Sequence, residues 1–305
     1  MRIFKDWQGL AAEDRGASVA MGNFDGIHLG HASVIEAARD HGPLGVVTFE
    51  PHPRQVFAPD TPAFRLMNAE ARASRLAKMG VERLYELPFD RALAGLTPED
   101  FVGQVLHQGL GVRHVVVGAD FCFGKGRKGT AKDLQTLGAT HGIGVSVAPL
   151  LERDGAPVSS TAIRRALSEG DPRAAADMLG HWHRIEGEVI HGEKRGRELG
   201  YPTANMSLAN LHLPRFGVYA VWVDILTGPQ TGTYKGAASL GVRPMFGENT
   251  PNLETYLLDF NGDLYGQHLS VAFVDYLRPE MKFDGLPALI AQMDADCARA
   301  RAILA

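Results

Sequence analysis

The stretch Ser18-Val19-Ala20-Met21-Gly22-Asn23-Phe24-Asp25-Gly26-Ile27-His28-Leu29-Gly30-His31 runs from a short apolar segment into a glycine turn and then into a helical pattern. A strand, a glycine turn and a helix start are the parts from which α/β proteins build phosphate sites, because free backbone N–H groups and the positive end of the helix dipole meet there. His28 and His31 can donate hydrogen bonds to phosphate oxygens, and Gly30 lets the backbone approach a ligand closely. The stretch predicts a nucleotide site; the alternative is that one histidine caps the helix or lies in a polar interior.

The composition is that of a globular protein with room for two domains. The chain has 305 residues, of which 45% are hydrophobic and 22% charged, and its net charge is −4. This balance argues against a dedicated nucleic-acid-binding protein, which usually has a basic face. Cys122 and Cys297 are too few for a disulfide framework, and no apolar run approaches the roughly 20 residues that span a bilayer. We therefore expect a cytoplasmic protein without nucleic-acid or membrane partners.

The first half of the chain alternates short apolar runs with helical stretches, as consecutive βα units of a parallel sheet do. After the opening strand, Asn68 and the pair Thr97-Pro98 have the residue types of helix starts. The pattern predicts a doubly wound, Rossmann-like α/β domain. Its ligand crevice should lie beyond the carboxyl ends of the strands. The further predicted strands cover residues 44–49, 83–87, 114–117 and 144–147, and the loops at that edge cover residues 22–31, 50–54 and 118–130.

The second half has a different periodicity, beyond a predicted linker at residues 180–184. Strand-like runs separated by Gly, Pro and Asn turns follow one another without helices between them, which indicates an antiparallel β-barrel. Helical spacing over residues 286–304 predicts a terminal helix packed across this barrel. We expect two domains, residues 1–182 and 183–305. The predicted barrel strands cover residues 185–190, 218–225, 234–239, 253–259 and 269–276.

Two further loops of the first domain carry residues suited to binding. His52 and Arg54 lie in a loop with two prolines, for which a solvated loop is the alternative. Asp120 and Phe121 lie in a segment with a carboxylate and aromatic rings that can enclose a flat heterocycle, although aromatic core packing explains the rings nearly as well. The following glycine-rich run is not a P-loop, because Thr130 stands where that motif requires lysine.

Hydroxyl groups also precede a predicted helix near residue 160. Ser159, Ser160 and Thr161 lie at its start and Arg164 one turn inside it, an arrangement that suits a second phosphate contact. An ordinary helix cap with an exposed arginine is the alternative.

In the second domain, a glycine-rich basic loop ends in Pro202-Thr203-Ala204-Asn205. Thr203 and Asn205 have oxygen atoms that can reach a Mg²⁺ ion already held by nucleotide phosphates, and a solvated β-hairpin is the alternative. Glu254 is a lone carboxylate at the start of a mostly apolar predicted strand, where a half-buried acid needs a reason. A solvent-facing glutamate on an edge strand is the other interpretation.

Taken together, GNFDGIHLGH, TFEPHP, GADFCFG and SSTAIR resemble, in order and spacing, the FAD synthetase module of bifunctional bacterial riboflavin kinase/FAD synthetases. The resemblance implies that His28, His31, Ser160 and Arg164 hold the ATP phosphates, that Asn23 helps to position them, and that Asp120 lies by the flavin. It implies attack of the FMN phosphate on the ATP α-phosphorus, with release of pyrophosphate. The remaining predicted binding residues are Gly22, Phe24, Asp25, Gly30, His52, Phe121, Ser159 and Thr161.

From about residue 185 to 283, the motifs GRxLGxPTAN, PxxGVYAV, GVRP, LETYLLDF and LRPEMKF resemble riboflavin kinase. The resemblance implies that Thr203 and Asn205 bind Mg²⁺ and that Glu254 is the catalytic base for the riboflavin 5′-hydroxyl. Met245 stands where that family usually has threonine, and we expect an altered contact on the flavin side. The predicted binding residues of this domain are Gly192, Arg197, Gly200 and Pro202.

The sequence therefore predicts a bifunctional enzyme that makes FMN from riboflavin and FAD from FMN, using ATP and Mg²⁺ in both steps, as a monomer or weak homo-oligomer. Two alternatives stay open. One is a nucleotidyltransferase for another phosphorylated alcohol with a degenerate barrel, and the other is a flavin-binding sensor without catalysis.

Overall fold

The chain forms two compact units. The computed structural model describes residues 1–153, 155–191, 200–208, 210–245 and 248–305. The first unit comprises Met1–Pro62 with Arg72–Ser159, and the second comprises Ala63–Ala71 with Ser160–Ala305. Each unit has its own apolar core, as expected for domains of this size.

The first unit contains a six-stranded parallel sheet, which confirms the predicted doubly wound fold. Its strand order is β1-β4-β3-β2-β5-β6. The chain moves outward from β2 through β3 to β4 and then returns to the other side of β2 as β5, so the direction of winding reverses between β2 and β5. The strands are β1 Arg2–Phe4, β2 Ser18–Met21, β3 Leu44–Glu50, β4 Arg83–Pro88, β5 His114–Gly118 and β6 Gly144–Ala148.

Predicted cap residues account for the starts of two helices. Asn68 Oδ1 accepts from the backbone N–H of Ala71 at 2.8 Å, and Thr97 Oγ1 accepts from that of Asp100 at 3.1 Å, as predicted from the cap residues. The helices are α1 Leu29–Ala37, α2 Pro53–Phe57, α3 Ala69–Lys78, α4 Arg91–Gly95, α5 Pro98–Asp100 with its π-helical continuation Phe101–Gly109, α6 Ala131–Thr140, α7 Ser160–Glu169, α8 Pro172–Leu179 and α9 Leu286–Ile303.

The second unit contains a closed antiparallel barrel, which confirms the prediction for this half of the chain. Its strand order is β7-β8-β11-β10-β9-β12, and β12 closes the barrel by pairing with β7. The strands are β7 Arg184–Ile190, β8 Thr203–Ser207, β9 Gly217–Ile225, β10 Gly232–Met245, β11 Glu248–Leu257 and β12 His268–Arg278. Strand β8 corrects the sequence interpretation of Thr203–Asn205 as the end of a loop: Ala204 and Met206 are buried in the core, and the alternate residues face outward.

The terminal helix packs on the outside of the barrel, as predicted. Ala300 and Leu304 at its end contact a second apolar cluster that includes Val218, Ala220 and Val274 of the barrel strands. The inside of the barrel is filled by a separate cluster that includes Leu253 and Phe273, so ligands must bind on its outer surface or at its ends. No helix among the described residues is long and apolar enough to cross a membrane.

Candidate functional sites

The nucleotide turn lies at the switch point of the parallel sheet. Gly22–His31 follows β2 and the segment 119–124 follows β5, and these two strands are hydrogen-bonded neighbours on either side of the reversal. The loop after Glu50 follows β3, the neighbour of β2 on its other side. The three loops that the sequence predicts at one edge therefore lie at the carboxyl ends of adjacent strands, where open α/β sheets bind ligands.

His28 and His31 form a stacked pair at the start of α1. The backbone N–H of His31 donates to His28 Nδ1 at 3.3 Å, so His28 is the helix cap. The ring centroids lie 3.6 Å apart with an interplanar angle of 18°. Because Nδ1 of His28 accepts, the neutral ring holds its proton on Nε2, which is then a donor for a ligand. The sequence left open whether His28 caps the helix or donates to a phosphate. In this geometry the ring can do both, because Nδ1 is used for the cap and Nε2 carries the proton for a ligand.

Both imidazoles are held in the neutral form. Burial lowers the pKa of His28 to about 4, and the negative charge of Asp120 opposes part of that shift. Burial also lowers the pKa of His31 well below its usual range, and the neighbouring His28 adds to the effect. At neutral pH the pair therefore offers hydrogen bonds without a positive charge, and charge compensation for a phosphate must come from the helix N-terminus and from basic side chains.

The turn before these histidines is shaped by packing and by an unusual backbone. A Cβ atom at Gly30 would lie 3.1 Å from Cε1 and from Nδ1 of His28, so the glycine leaves room for the imidazole. Phe24 and Ile27 have φ angles of 51° and 43°, and both side chains are buried. Non-glycine residues in this region store strain and cluster at functional sites. Phe24 meets His31 edge-on at 5.3 Å, and thus supports the pair from the core.

The other loops of the first unit divide into structural and exposed residues. His52 is buried and caps α2, with Nδ1 accepting from the N–H of Arg54 at 3.1 Å; the expected proline loop thus continues as a short helix from Pro53. Asp120 is exposed and Phe121 is half-buried against Phe123, which belongs to the core. Both rings therefore take part in core packing, and contact of Phe121 with a heterocycle stays a prediction. Asn23 is exposed, Gly22 is half-buried and Asp25 is buried in the same turn.

The hydroxyl cluster near residue 160 precedes α7. Ser159 directly precedes the helix and Ser160 is its first residue. Thr161, the second residue, is exposed. In the second unit, Arg164 Nε donates to the carbonyl oxygen of Phe64 at 2.6 Å, and its guanidinium lies 5.6 Å from the centre of the Phe64 ring. The guanidinium is therefore held by Phe64, a contact that the sequence did not indicate.

The second candidate site lies on the outer face of the barrel. Asn205 of β8 is directly opposite Glu254 of β11, and Thr203 is two residues before Asn205 on the same face. Asn205 is buried, whereas Glu254 and Thr203 are half-buried. Strand β11 is paired with β8 on one side and β10 on the other, so Glu254 is an interior-strand residue within a strand that begins at Glu248. It is not an acid on an edge strand.

A residue that the sequence analysis missed joins these groups. Asn252 Nδ2 donates to Asn205 Oδ1 at 2.9 Å and to Glu254 Oε1 at 3.1 Å. Asn205 Nδ2 donates in turn to the carbonyl oxygen of Thr203 at 3.3 Å. The period-two position before Glu254 was the available signal, because residues two apart on a strand share a face.

The entrance to β8 is only partly described. Gly192 and Arg197 lie outside the described residues, and so does the side chain of Met245. Gly200 has a φ of 82°, and Pro202 is exposed beside it. Tyr201, between them, donates to Asp294 of α9, which ties the start of the strand to the terminal helix.

Comparisons with known proteins match a different family model to each part of the chain. The FAD synthetase family model matches residues 10–162, and the riboflavin kinase family model matches residues 179–304. A bifunctional riboflavin kinase/FMN adenylyltransferase of Pseudomonas fluorescens is 42% identical, covering 100% of this chain and 98% of the relative. The protein of the same name from Escherichia coli K12 is 37% identical, covering 99% and 97%. The crystal structure of a macrolide-efflux protein from Streptococcus pneumoniae superposes with a TM-score of 0.83 at 33% identity, covering 98% of both chains.

Proposed function

The chain belongs to the family of bifunctional riboflavin kinases/FMN adenylyltransferases, and we propose that its two sites divide the two reactions between them. The enzyme phosphorylates riboflavin to FMN with ATP, and it transfers an adenylyl group from a second ATP to FMN to give FAD and pyrophosphate. We assign the first reaction to a kinase domain at residues 183–305 and the second to an adenylyltransferase domain at residues 1–182. The observation that carries the kinase assignment is the pairing of Asn205 with Glu254 across β8 and β11.

In the kinase reaction, Glu254 acts as the general base. Its carboxylate accepts the proton of the riboflavin 5′-hydroxyl as that oxygen attacks the γ-phosphorus of ATP, and the bond from this phosphorus to the bridging oxygen of ADP breaks. The half-buried position of Glu254 supports this role, since it leaves the carboxylate reachable from the outer face of the barrel. We propose that the nucleotide phosphates of the kinase reaction are surrounded by Gly192, Arg197, Gly200 and Pro202.

Thr203 and Asn205 suit a magnesium ion. Hydroxyl and amide oxygens are hard ligands, and Mg²⁺ typically takes only one or two protein ligands beside waters and phosphates. Asn205 Oδ1 is oriented by the hydrogen bond from Asn252, so its oxygen end is fixed before any ion arrives. When bound, Mg²⁺ supplies charge neutralisation to the transferring phosphate groups.

In the adenylyl transfer, an oxygen of the FMN phosphate attacks the α-phosphorus of ATP and pyrophosphate leaves. We propose that His28 and His31 donate hydrogen bonds to the phosphates as neutral imidazoles, together with Ser160 and Arg164. We propose that Asp120 and Phe121 contact the flavin. The turn before the histidines is formed by Gly22, Asn23, Phe24, Asp25 and Gly30. The other proposed binding residues of this site are His52, Ser159 and Thr161. No covalent intermediate with the protein is required, because positioning and charge stabilisation account for catalysis.

The relatives favour this function over the two alternatives left open by the sequence. Proteins aligned over nearly the whole chain are named for both reactions, which leaves no need for a degenerate barrel or for a sensor without turnover. We further propose a cytoplasmic location, where ATP is available to both reactions, and a monomer or weak homo-oligomer. Light scattering over a range of protein concentrations tests the oligomeric state.

A time course tests the proposed function directly. The purified protein is incubated with riboflavin, ATP and Mg²⁺, and riboflavin, FMN and FAD are separated by chromatography. We expect FMN to appear first and then convert to FAD. Conversion of supplied FMN while riboflavin stays unchanged would reject the kinase assignment, and an unchanged pool of both flavins would reject the proposal as a whole.

A further inference from the structure

Asn252 lies on the outer face of the barrel, two residues before Glu254 and cross-strand from Ser207. It is half-buried, and its single NH₂ group donates to Asn205 Oδ1 at 2.9 Å and to Glu254 Oε1 at 3.1 Å. An amide nitrogen has two hydrogens, so each of the two acceptors can take one. One side chain therefore links the proposed metal ligand with the proposed base.

The hydrogen bonds also fix which end of the Asn205 amide faces the site. Its nitrogen donates to the carbonyl oxygen of Thr203 at 3.3 Å, and its oxygen accepts from Asn252. If the amide were reversed, it would direct NH₂ hydrogens toward a cation and would place two NH₂ groups against each other. Because an amide oxygen has two lone pairs, the bond from Asn252 leaves one for a metal ion.

We propose that Asn252 is a positioning residue of the kinase reaction, which holds the Asn205 oxygen toward the metal and the Glu254 carboxylate toward the substrate hydroxyl. The inference rests on the proposed function of Asn205 and Glu254. Asn252 touches neither reacting atom; it acts through these two residues. Partners that orient metal ligands typically change metal affinity or activity by about 10- to 100-fold when they are replaced.

Three substitutions separate donation from packing. Asn252→Ala removes the side chain, Asn252→Leu keeps a branched shape of similar size but has no donor, and Asn252→Gln keeps the NH₂ group on a longer chain. We expect the alanine and leucine variants to lose about 10- to 100-fold in kcat for riboflavin phosphorylation, with little change in the KM for riboflavin. The glutamine variant should recover part of the loss. If leucine restores activity as well as glutamine does, Asn252 only fills space and the proposal is wrong.

Metal binding gives a readout that does not depend on turnover. With the full-length protein and ADP present, bound Mn²⁺ is measured by electron paramagnetic resonance, and the part of the signal that Asn205→Ala removes is assigned to the magnesium site of the kinase reaction. Asn252→Ala and Asn252→Leu should weaken Mn²⁺ binding, and adding Asn252→Ala to Asn205→Ala should weaken it no further, because both changes act on the same ligand. Additive losses in the double variant would overturn a role exerted through Asn205.

Controls distinguish failure of this inference from failure of the proposed function. Gln230→Ala removes an exposed amide hydrogen bond to the carbonyl oxygen of Asn261 in the same unit, and it should leave both readouts unchanged. FMN adenylylation and thermal unfolding report folding of each variant. If Glu254→Gln and Asn205→Ala impair riboflavin phosphorylation but Asn252→Ala does not, the inference alone is rejected. If none of the three impairs it, the kinase site is wrongly assigned and the inference falls with it.

Discussion

The rings of His28 and His31 lie face to face at 3.6 Å, and the backbone N–H of the second donates to the first. Two imidazolium ions at this separation would repel each other, and burial already disfavours the charged form of both. The pair is therefore a neutral hydrogen-bond donor set attached to the N-terminus of a helix. In the proposed adenylyl transfer, the pair therefore acts through the position of its donors and not through histidine charge.

Removal of the pair should impair only one of the two reactions. We expect His28→Ala/His31→Ala to lower FMN adenylylation by about 100-fold or more, as loss of preorganised donors at a transition state does elsewhere. Riboflavin phosphorylation should stay near the wild-type rate, because these residues belong to the first unit. Both reactions are measured by chromatography with riboflavin or FMN as the supplied flavin. Adenylylation near the wild-type rate would show that the histidines are not part of the site.

Gly30→Ala tests whether the position of the His28 ring matters. The added Cβ would lie 3.1 Å from two ring atoms, so the ring must shift by a few tenths of an ångström. We expect FMN adenylylation to fall by up to about 10-fold, because a misplacement of about 1 Å can cost about 100-fold and this shift is smaller. Gly95→Ala is a matched control, because a Cβ there meets nothing within 4 Å. Equal activity of the two variants would contradict a positional requirement.

Glu254→Gln keeps the size of the side chain and removes its ability to take a proton. We expect riboflavin phosphorylation to fall by about 100- to 10,000-fold, the usual contribution of a general base. Conversion of supplied FMN to FAD should continue unchanged in the same preparation. Loss of both activities would indicate unfolding or a wrong division of the reactions, and retention of the kinase activity would exclude Glu254 as the base.

Thr203→Ala and Asn205→Ala address the proposed metal site. Each change removes one oxygen from the outer face of the barrel, so the Mg²⁺ concentration for half-maximal riboflavin phosphorylation should rise by at least about 10-fold. The Mg²⁺ dependence of FMN adenylylation should not move, which makes that reaction the internal reference. An unchanged titration of the kinase reaction would count against metal binding at these residues.

The fold was largely predictable because its signals are local. Apolar runs alternate with helical patterns, and this alternation can be read from near neighbours in the sequence. The same is true of cap residues such as Asn68 and Thr97. Strand β8 was missed because Thr203–Ser207 has only two apolar positions, Ala204 and Met206, and its extended state depends on pairing with β7 and β11. Local patterns carry no information about such partners.

The sequence could nominate residues for the two candidate sites, but it could not predict their geometry. The resemblance to known families supplied Asn205 and Glu254, whereas their direct opposition follows from a register between strands more than 40 residues apart in sequence. Asn252 was missed for the same reason: its proposed role rests on two hydrogen bonds, one of them across the strand pair. The positive φ of Phe24 and Ile27 could not be predicted, because such backbone conformations are normally associated with glycine.

A buried histidine of the second unit predicts how stability depends on pH. Burial, with smaller contributions from His181 and His212, lowers the pKa of His183 from 6.5 to about 3. Between these values the unfolded chain binds a proton that the folded chain excludes, so the free energy of unfolding falls as the pH falls below 6.5. The loss is about 1.4 kcal/mol per pH unit, or about 2 kcal/mol by pH 5, and it levels off below the folded-state pKa.

His183→Leu should remove this dependence, because leucine has no proton to bind and suits a site where His183 is 3% exposed. Urea unfolding of both proteins is followed by tryptophan fluorescence, to which Trp182 and Trp222 of the second unit contribute, at pH 7, 6 and 5. His28 and His31 are present in both proteins, so their own contributions cancel in the comparison. We expect the stability of the wild type relative to the variant to fall by about 2 kcal/mol between pH 7 and pH 5. If the stabilities of the two proteins change in parallel with pH, His183 takes up a proton in the folded protein over the same pH range as in the unfolded chain. Its burial then does not hold it neutral.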